Sequence, residues 1–297
     1  MDTVTRARTG VLYALVAAFL WGVSGAIAAD AFAEISPARV AESRAILATA
    51  VLVPYAWWRK RLAPGALLWW FLLLGANLAV VNVTFYWSVQ RLGVGPGATV
   101  QFLGPILVLG VMAAQGRAVG RFAWGAAVVA VAGVSLVTKA WELESSDWFG
   151  FVAGLAAAVT FATYLLLGEH LASRAQATTI VTWGFIFASA IWLIVQPLWS
   201  YPTDLPSKAW LELLWIGVAG TALPFIVEFG ALRRVASGIV GVAATSEPVF
   251  GAAAAWILLD QQLDPIQIVG GTMVIVAVAS IQRWGIPEAE VPFEVVR

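Results

Sequence analysis

Residues 86–111 read YWSVQRLGVGPGATVQFLGPILVLGV, and residues 229–254 read FGALRRVASGIVGVAATSEPVFGAAA. Laid over one another at the offset of 143 set by their first residues, Arg91 falls on Arg234, Gly95 on Gly238 and Pro105 on Pro248. Each stretch leaves one apolar run, turns a small-residue corner and enters a second run with a proline inside it. A motif written twice across so long an interval marks two halves built alike.

The match extends outward in both directions. Gly10–Asp30 pairs with Gly150–His170, so that Trp21 falls on Phe161 and Ser24 on Tyr164. Pro54 falls on Pro197, and Gly125–Val134 on Gly270–Ala279 after a two-residue slip. Ten apolar segments result, at about 9–29, 37–56, 66–90, 94–114, 119–138, 148–171, 176–197, 207–232, 236–259 and 264–284. Runs near 20 residues are what a helix needs to cross a hydrocarbon core of roughly 30 Å. The composition agrees: 61% hydrophobic and only 11% charged, against about 25% charged in soluble domains. Barrel strands, which alternate in polarity over ~10 residues, do not fit these runs. The fold class expected is an all-α integral membrane protein of ten transmembrane helices. One half spans 1–140 and the other 148–285, with a cytoplasmic tail at 286–297.

Five spans per half is an odd number, so the second copy enters the membrane from the opposite side. The halves are therefore inverted repeats. Such a pair encloses a site near mid-bilayer and has two conformations of similar energy, which is the architecture of a secondary transporter. A scaffold or channel built on the same repeat stays open as an alternative. Lys and Arg fix the orientation. Twelve sit at one set of segment ends (Arg6, Arg8, Arg59, Lys60, Arg61, Arg117, Arg121, Arg174, Arg233, Arg234, Arg283, Arg297), and Arg91, Lys139 and Lys208 at the other. This places both termini in the cytoplasm. Arg6 and Arg8 ahead of an apolar run ending in Ala26-Ile27-Ala28 also fit a secretory signal, but the repeat partner of this segment argues for a retained span.

Several chemistries are disfavoured. The chain has no cysteine and one histidine, His170, so thiol nucleophiles and Cys- or His-based metal centres lack their residues. No cofactor or metal is expected. A formal net charge of +0 gives a nucleic-acid partner no electrostatic support. An intramembrane enzyme would need a base at depth, and His170 sits at a segment end, where it is read as solvated.

The candidate site residues are polar or aromatic groups inside apolar segments. Most of the sixteen Trp residues fall near segment ends and read as interface anchors, whereas Trp21 and Trp183 lie deeper. Trp21, Ser24 and Gly25 share one helix face, and Thr160, Thr163 and Tyr164 form the matching face of the other half. The third segment carries Asn77, Asn82 and Tyr86, and the fourth Gln101. Pro105 and Pro248 free the carbonyls of Gln101 and Ala244 one turn back; Gly93 and Gly97 are expected at the corner as hinges. Glu247 is the carboxylate nearest mid-segment, where a charge costs on the order of 3 kcal/mol, and is read as a substrate-ammonium ligand or proton carrier. Glu228 and Glu42 are read as reaching toward wet ends, and Glu42 or Arg44 as pairing across helices.

The paired openings GVLYALVAAFLWG and GFVAGLAAAVTFA, the corner into VQFLGPILV, and VAATSEPVFGAAAAWILLDQQLDPIQIVGG resemble the EamA branch of the drug/metabolite transporter superfamily, over nearly the whole chain. Within it the chain looks most similar to the YddG-type aromatic amino acid exporters. Those have an Asn-Tyr-Leu-Trp-Pro-like stretch where this chain has Gln101-Phe102-Leu103-Gly104-Pro105. The resemblance implies export of amino acids or small amphipathic metabolites across a bacterial inner membrane. The route would be a cavity lined by Trp21, Ser24, Asn77, Asn82, Tyr86, Gln101, Tyr164, Trp183 and Glu247. A monomer in the lipid bilayer, with a small-molecule substrate as its partner, is the simplest organisation it suggests; drug or cation efflux, or a channel-like facilitator, are the alternatives.

Overall fold

The computed structural model describes residues 3–92, 94–142, 147–259, 262–281 and 283. Among them there is helix and no strand. In the first half the helices are α1 (Thr3–Ala31), α2 (Pro37–Trp58), α3 (Leu68–Leu92), α4 (Val94–Gln101), α5 (Gly104–Ala114) and α6 (Arg121–Val137). In the second they are α7 (Trp148–Ala172), α8 (Ala177–Val195), α9 (Ser207–Gly217), α10 (Leu223–Leu232), α11 (Ser237–Ala244), α12 (Glu247–Leu259) and α13 (Pro265–Ser280). Three spans are compound. α4 and α5 make the fourth, α9 and α10 joined by a π-helical turn at Val218–Ala222 make the eighth, and α11 and α12 make the ninth. Gly93 and the tail at 286–297 lie outside the described residues.

Local chemistry starts and stops these helices. Ser36 accepts the Arg39 N–H ahead of Pro37, and Asp147 accepts the Phe149 N–H at 2.8 Å, which are N-caps for the orphan donors of a first turn. At the far end of α5, Gly116 has φ +76° and the Arg117 N–H reaches back to the Met112 carbonyl, a glycine closure of the last turn. The Gln267 side chain accepts from the Asp264 N–H and donates to the Val137 carbonyl at 2.8 Å, tying the start of α13 to the end of α6.

Among the described residues six helical stretches are long and apolar enough to span a bilayer, at Thr5–Ala28, Gly65–Leu92, Gly97–Ala114, Trp148–Ala172, Ala177–Val195 and Ser207–Leu232. α6 and α13 are shorter apolar helices, α2 carries Arg39, Glu42 and Arg44, and the ninth span is interrupted. Trp57, Trp69, Trp148 and Trp199 are exposed near helix ends, where lipid headgroups meet the ring N–H.

The packing shows the inversion directly. The first helix of each half lies along the third helix of the other: α1 on α10, and α7 on α3. Gly10 and Gly150 make both crossings close. A Cβ on Gly10 would fall 2.9 Å from Arg234 Cβ, and one on Gly150 2.5 Å from Arg91 Cβ; these are the same two repeat pairs seen in the sequence. The second helices α2 and α8 pack on one another, and Thr49 and Ser189, which are 140 residues apart, share a 2.8 Å hydroxyl hydrogen bond. A residue that touches its own repeat mate lies on the pseudo-twofold axis. At the ends, ion pairs Arg91–Asp147 (2.9 Å), Arg117–Glu169 (2.7 Å), Lys139–Asp264 and Lys208–Asp30 all join one half to the other. The Asp264 carboxylate holds the Lys139 ammonium above its ordinary value.

Candidate functional site

The fourth and ninth spans do more at their prolines than free one carbonyl each; they break. Two turn residues, Phe102-Leu103 and Thr245-Ser246, separate half-helices, and Pro105 and Pro248 are second residues of the new helices. The Thr245 hydroxyl donates to the Val242 carbonyl at 2.6 Å, offering α11 a local partner in place of another helical turn. Breaks of this kind are tolerated at membrane depth where backbone lines a cavity. The repeat sets Gly104 opposite Glu247, so the matching half-helix starts carry one carboxylate between them. Gly22 packs α1 against that start, its missing Cβ lying 2.6 Å from the Glu247 carbonyl oxygen.

Between the broken spans lies a cavity of about 90 Å³. Trp21 lines it from α1, Arg44 from α2, Leu78, Val81, Asn82 and Phe85 from α3, and Gln101 from α4. Phe161 and Tyr164 of α7, Phe225 of α10 and Glu247 of α12 complete the wall. Both halves contribute. Trp21 and Phe225 meet edge to face at 5.1 Å, as do Tyr164 and Phe225 at 5.6 Å, which gives one side a fixed aromatic surface.

Arg44 is the cation of the site. Its Nε donates to Thr221 Oγ1 at 3.0 Å, Nη1 to Asn82 Oδ1 at 3.1 Å and to the Tyr86 hydroxyl at 3.3 Å, and Nη2 to the Gly220 carbonyl at 3.3 Å. The π turn supplies two of these acceptors. Its extra residue lets the Thr221 hydroxyl bond the Ile216 carbonyl at 2.7 Å while Gly220 faces Arg44. Asn82 is aimed by its own amide, which donates to the Leu78 carbonyl at 2.6 Å. Every partner of Arg44 is a neutral oxygen, and no carboxylate pairs with it among the described residues. Glu247 faces the same space, and Gln101 Oε1 is buried there without a partner among the described residues. One positive group, one carboxyl group and an unsatisfied amide therefore converge on one small volume.

Of the residues expected at the site, Trp21, Asn82, Gln101, Tyr164 and Glu247 line the cavity. Tyr86 stands one contact behind, holding Arg44. Ser24 is buried against Gly220, where its Oγ comes within 1.9 Å of the position a Cβ would take. Asn77 lies off the cavity with Oδ1 buried and without a partner among the described residues. Trp183 is a correction: it sits near the start of α8 and its ring N–H donates to the Leu62 carbonyl at 2.8 Å, in the α2–α3 loop. Gly97 lies where the corner folds back on α3, and a Cβ there would meet the Val89 backbone at 2.8 Å.

The ionisable residues also depart from expectation. Glu42 is buried and bonds Arg39 at 2.5 Å, and Glu228 is 1% exposed and accepts from the Tyr164 hydroxyl, so neither reaches to a wet end. His170 lies against Trp70 with ring centroids 4.5 Å apart and shares a 2.7 Å hydrogen bond with Arg174. Arg44 was legible as an intramembrane charge, but its place on the cavity wall was not. Phe85, Phe161 and Phe225 carried no signal, since an aromatic in an apolar run reads the same toward lipid or lumen.

The profile of the EamA-like transporter family matches residues 8–139 and 148–282. The chain is 27% identical over 272 residues to the threonine/homoserine exporter RhtA of Escherichia coli strain K12, covering 90% of this chain and 88% of that one. It is 25% identical over 283 residues to the pseudopaline exporter CntI of Pseudomonas aeruginosa strain UCBPP-PA14, covering 93% and 96%. A solved structure described as a crystal structure of a protein superposes with a TM-score of 0.77 at 16% identity, over 91% of this chain and 95% of that one. That likeness speaks for the fold.

Proposed function

Because the chain belongs to the EamA-like transporter family, a family of multi-pass membrane proteins, we propose that it is a secondary transporter that exports small amino acids. Its site binds both ends of a zwitterion. The forked donors of Arg44 suit a carboxylate, and Glu247 suits the ammonium. The polar edges of Asn82 and Gln101 lie beside them, and Trp21, Tyr164 and Phe225 enclose the side chain. The observation that carries this reading is the convergence of Arg44 and Glu247 on one cavity without an ion pair between them. The relatives named as exporters of threonine and homoserine and of pseudopaline support the substrate class.

Size narrows it. At about 90 Å³ the cavity is well below the roughly 300 Å³ at which ligand pockets usually begin. This favours a short polar side chain such as that of threonine over an indole, and it means that the site opens to load. Alternating access through the inverted halves supplies the opening. We place both termini in the cytoplasm and the protein in the inner membrane, on the Lys/Arg asymmetry and the relatives. The cycle requires no covalent step, and we read the chain as a transporter and not an enzyme.

Proteoliposomes loaded in turn with labelled threonine, homoserine, phenylalanine, lysine and glutamate test it. Saturable, stereoselective flux of the first two, weaker for phenylalanine, is the expected result. Flux that never saturates would point to a channel, and no movement of any amino acid would overturn the proposal.

A further inference from the structure

The amino acid cycle leaves the buried carboxyl of Glu228 unused. Glu228 lies on α10, three residues from the cavity-lining Phe225, and is 1% exposed. Its Oε2 accepts from the hydroxyl of Tyr164, whose ring is part of the cavity wall. Edge contacts of that ring with Phe225 at 5.6 Å and Phe229 at 5.8 Å fix it in place.

The charges around Glu228 are few. α10 packs against α1, α7, α8, α11 and the π turn. α8, α11 and the π turn carry no titratable side chain. From α7 comes Tyr164. From α1 comes Tyr13, which lies against Gly230 and under Arg234, and Arg234 directs its Nη1 to the Gly230 carbonyl at 2.6 Å. On the cavity wall that Tyr164 helps to form, Glu247 is the other carboxyl and Arg44 the cation. No guanidinium or ammonium pairs with Glu228 among the described residues.

A carboxylate enclosed in this way is uncompensated, whereas the neutral acid is not. A phenol donates to a carboxylate and accepts from a carboxylic acid, so the Tyr164 contact survives either protonation state. Two carboxylates in a low-dielectric site repel. A second negative charge at Glu228 is therefore tolerated best when a cation already neutralises Glu247.

We propose that Glu228 and Tyr164 form a proton-binding site, separate from the substrate-binding pair and coupled to it through Glu247. It rests on the amino acid reading above. When substrate ammonium docks on Glu247, the Glu228 O–H bond breaks and its proton leaves to water. When a proton returns to Glu228, the ammonium is bound less tightly and substrate departs. One substrate moves out for each proton that moves in, and no other co-substrate is required. Coupling of this kind is reciprocal, so acidification weakens substrate binding.

Two measurements decide it. In proteoliposomes with an acid interior and clamped voltage, labelled threonine should accumulate above its outside concentration while an entrapped pH dye reports alkalinisation. In detergent, threonine binding should weaken as pH falls, by at most about tenfold per pH unit for one proton. Glu228→Gln should flatten that profile and abolish accumulation, and Tyr164→Phe should move its midpoint. Threonine exchange without accumulation or a dye signal would overturn the proton site and leave the transport reading standing. An unchanged binding profile in Glu228→Gln would overturn it as well. No amino acid flux at all would overturn both.

Discussion

At the scale of single residues the site depends on what Arg44 touches. Four of its five donors are fanned over Thr221, Asn82, Tyr86 and Gly220, so the guanidinium is held in one orientation before substrate arrives. Arg44→Lys keeps the charge but loses the fork. We expect KM for threonine to rise about tenfold, equivalent to ~1.4 kcal/mol, with kcat much less affected; a rise below twofold would remove Arg44 from substrate recognition. Glu247→Gln keeps the shape and removes the ammonium's counter-charge. It should reduce kcat/KM at least as far, and wild-type kinetics in this variant would contradict the zwitterion reading. Glu247, Gln101 and Asn82 were legible in the sequence because a polar group in an apolar run demands a partner. The neighbours of Arg44 were not, because a π turn frees a backbone carbonyl that no residue type announces.

At the scale of elements, the glycine crossings and the broken spans make separate demands. Gly150 lets α7 approach α3 until a Cβ would lie 2.5 Å from Arg91 Cβ and 3.0 Å from Leu92 Cγ. Gly150→Val should therefore destabilise by about 1–3 kcal/mol, the cost of overpacking a close-packed contact, visible as a lower Tm in detergent. Gly25 has nothing within 4 Å of its added Cβ, so Gly25→Ala should leave Tm unchanged or raise it slightly. Equal shifts in the two variants would mean that the crossing is not tight. Pro248→Ala restores an N–H at the break and lets α11 run on toward α12, turning Glu247 away from the cavity at ~100° per residue of reclaimed helix. Transport should fall at least as far as in Glu247→Gln while far-UV circular dichroism shows no loss of helix; full activity would show that the break is incidental. The ten spans and their inversion could be read from the sequence because hydropathy and repeat offsets survive divergence between the halves. The breaks could not, since a proline permits a kink or a full interruption, and tertiary packing chooses between them. Trp183 misled for a related reason: its depth in the segment was visible, but the loop carbonyl of Leu62 that satisfies its N–H was not.

At the scale of the whole molecule, the inversion predicts that each end should carry a version of the same closure, and the structure contains such a pair. At one end Arg39 of α2 donates to the Ser200 carbonyl at 2.9 Å and Ser43 shares a 2.6 Å hydrogen bond with the Tyr201 hydroxyl. At the other, Thr179 of α8 donates to the Arg61 carbonyl at 3.0 Å and Trp183 to the Leu62 carbonyl at 2.8 Å. Arg39 and Thr179 occupy matching positions at the offset that also relates Thr49 and Ser189, as do Ser43 and Trp183. Each closure ties the second helix of one half to the loop after the second helix of the other. They differ in strength: the first is built on a guanidinium that also holds Glu42, and the second uses neutral donors only. Alternating access requires that only one open at a time, so weakening either should shift the population toward its side. Charge-assisted bonds contribute about 1.5–3 kcal/mol when buried, and less where a group is part-exposed. A shift of ~1 kcal/mol, roughly fivefold in the ratio of states, is a fair expectation for Arg39→Gln. The chain contains no cysteine, so Leu78→Cys on the cavity wall makes a clean reporter in whole cells. In the proposed orientation, with both termini in the cytoplasm, the Arg39 closure faces outward, and Arg39→Gln should speed labelling of that cysteine by an impermeant maleimide added outside. Thr179→Ala should slow it. If both variants move the rate in the same direction, the two ends are not opposed gates and the symmetry of the fold is not the basis of its cycle.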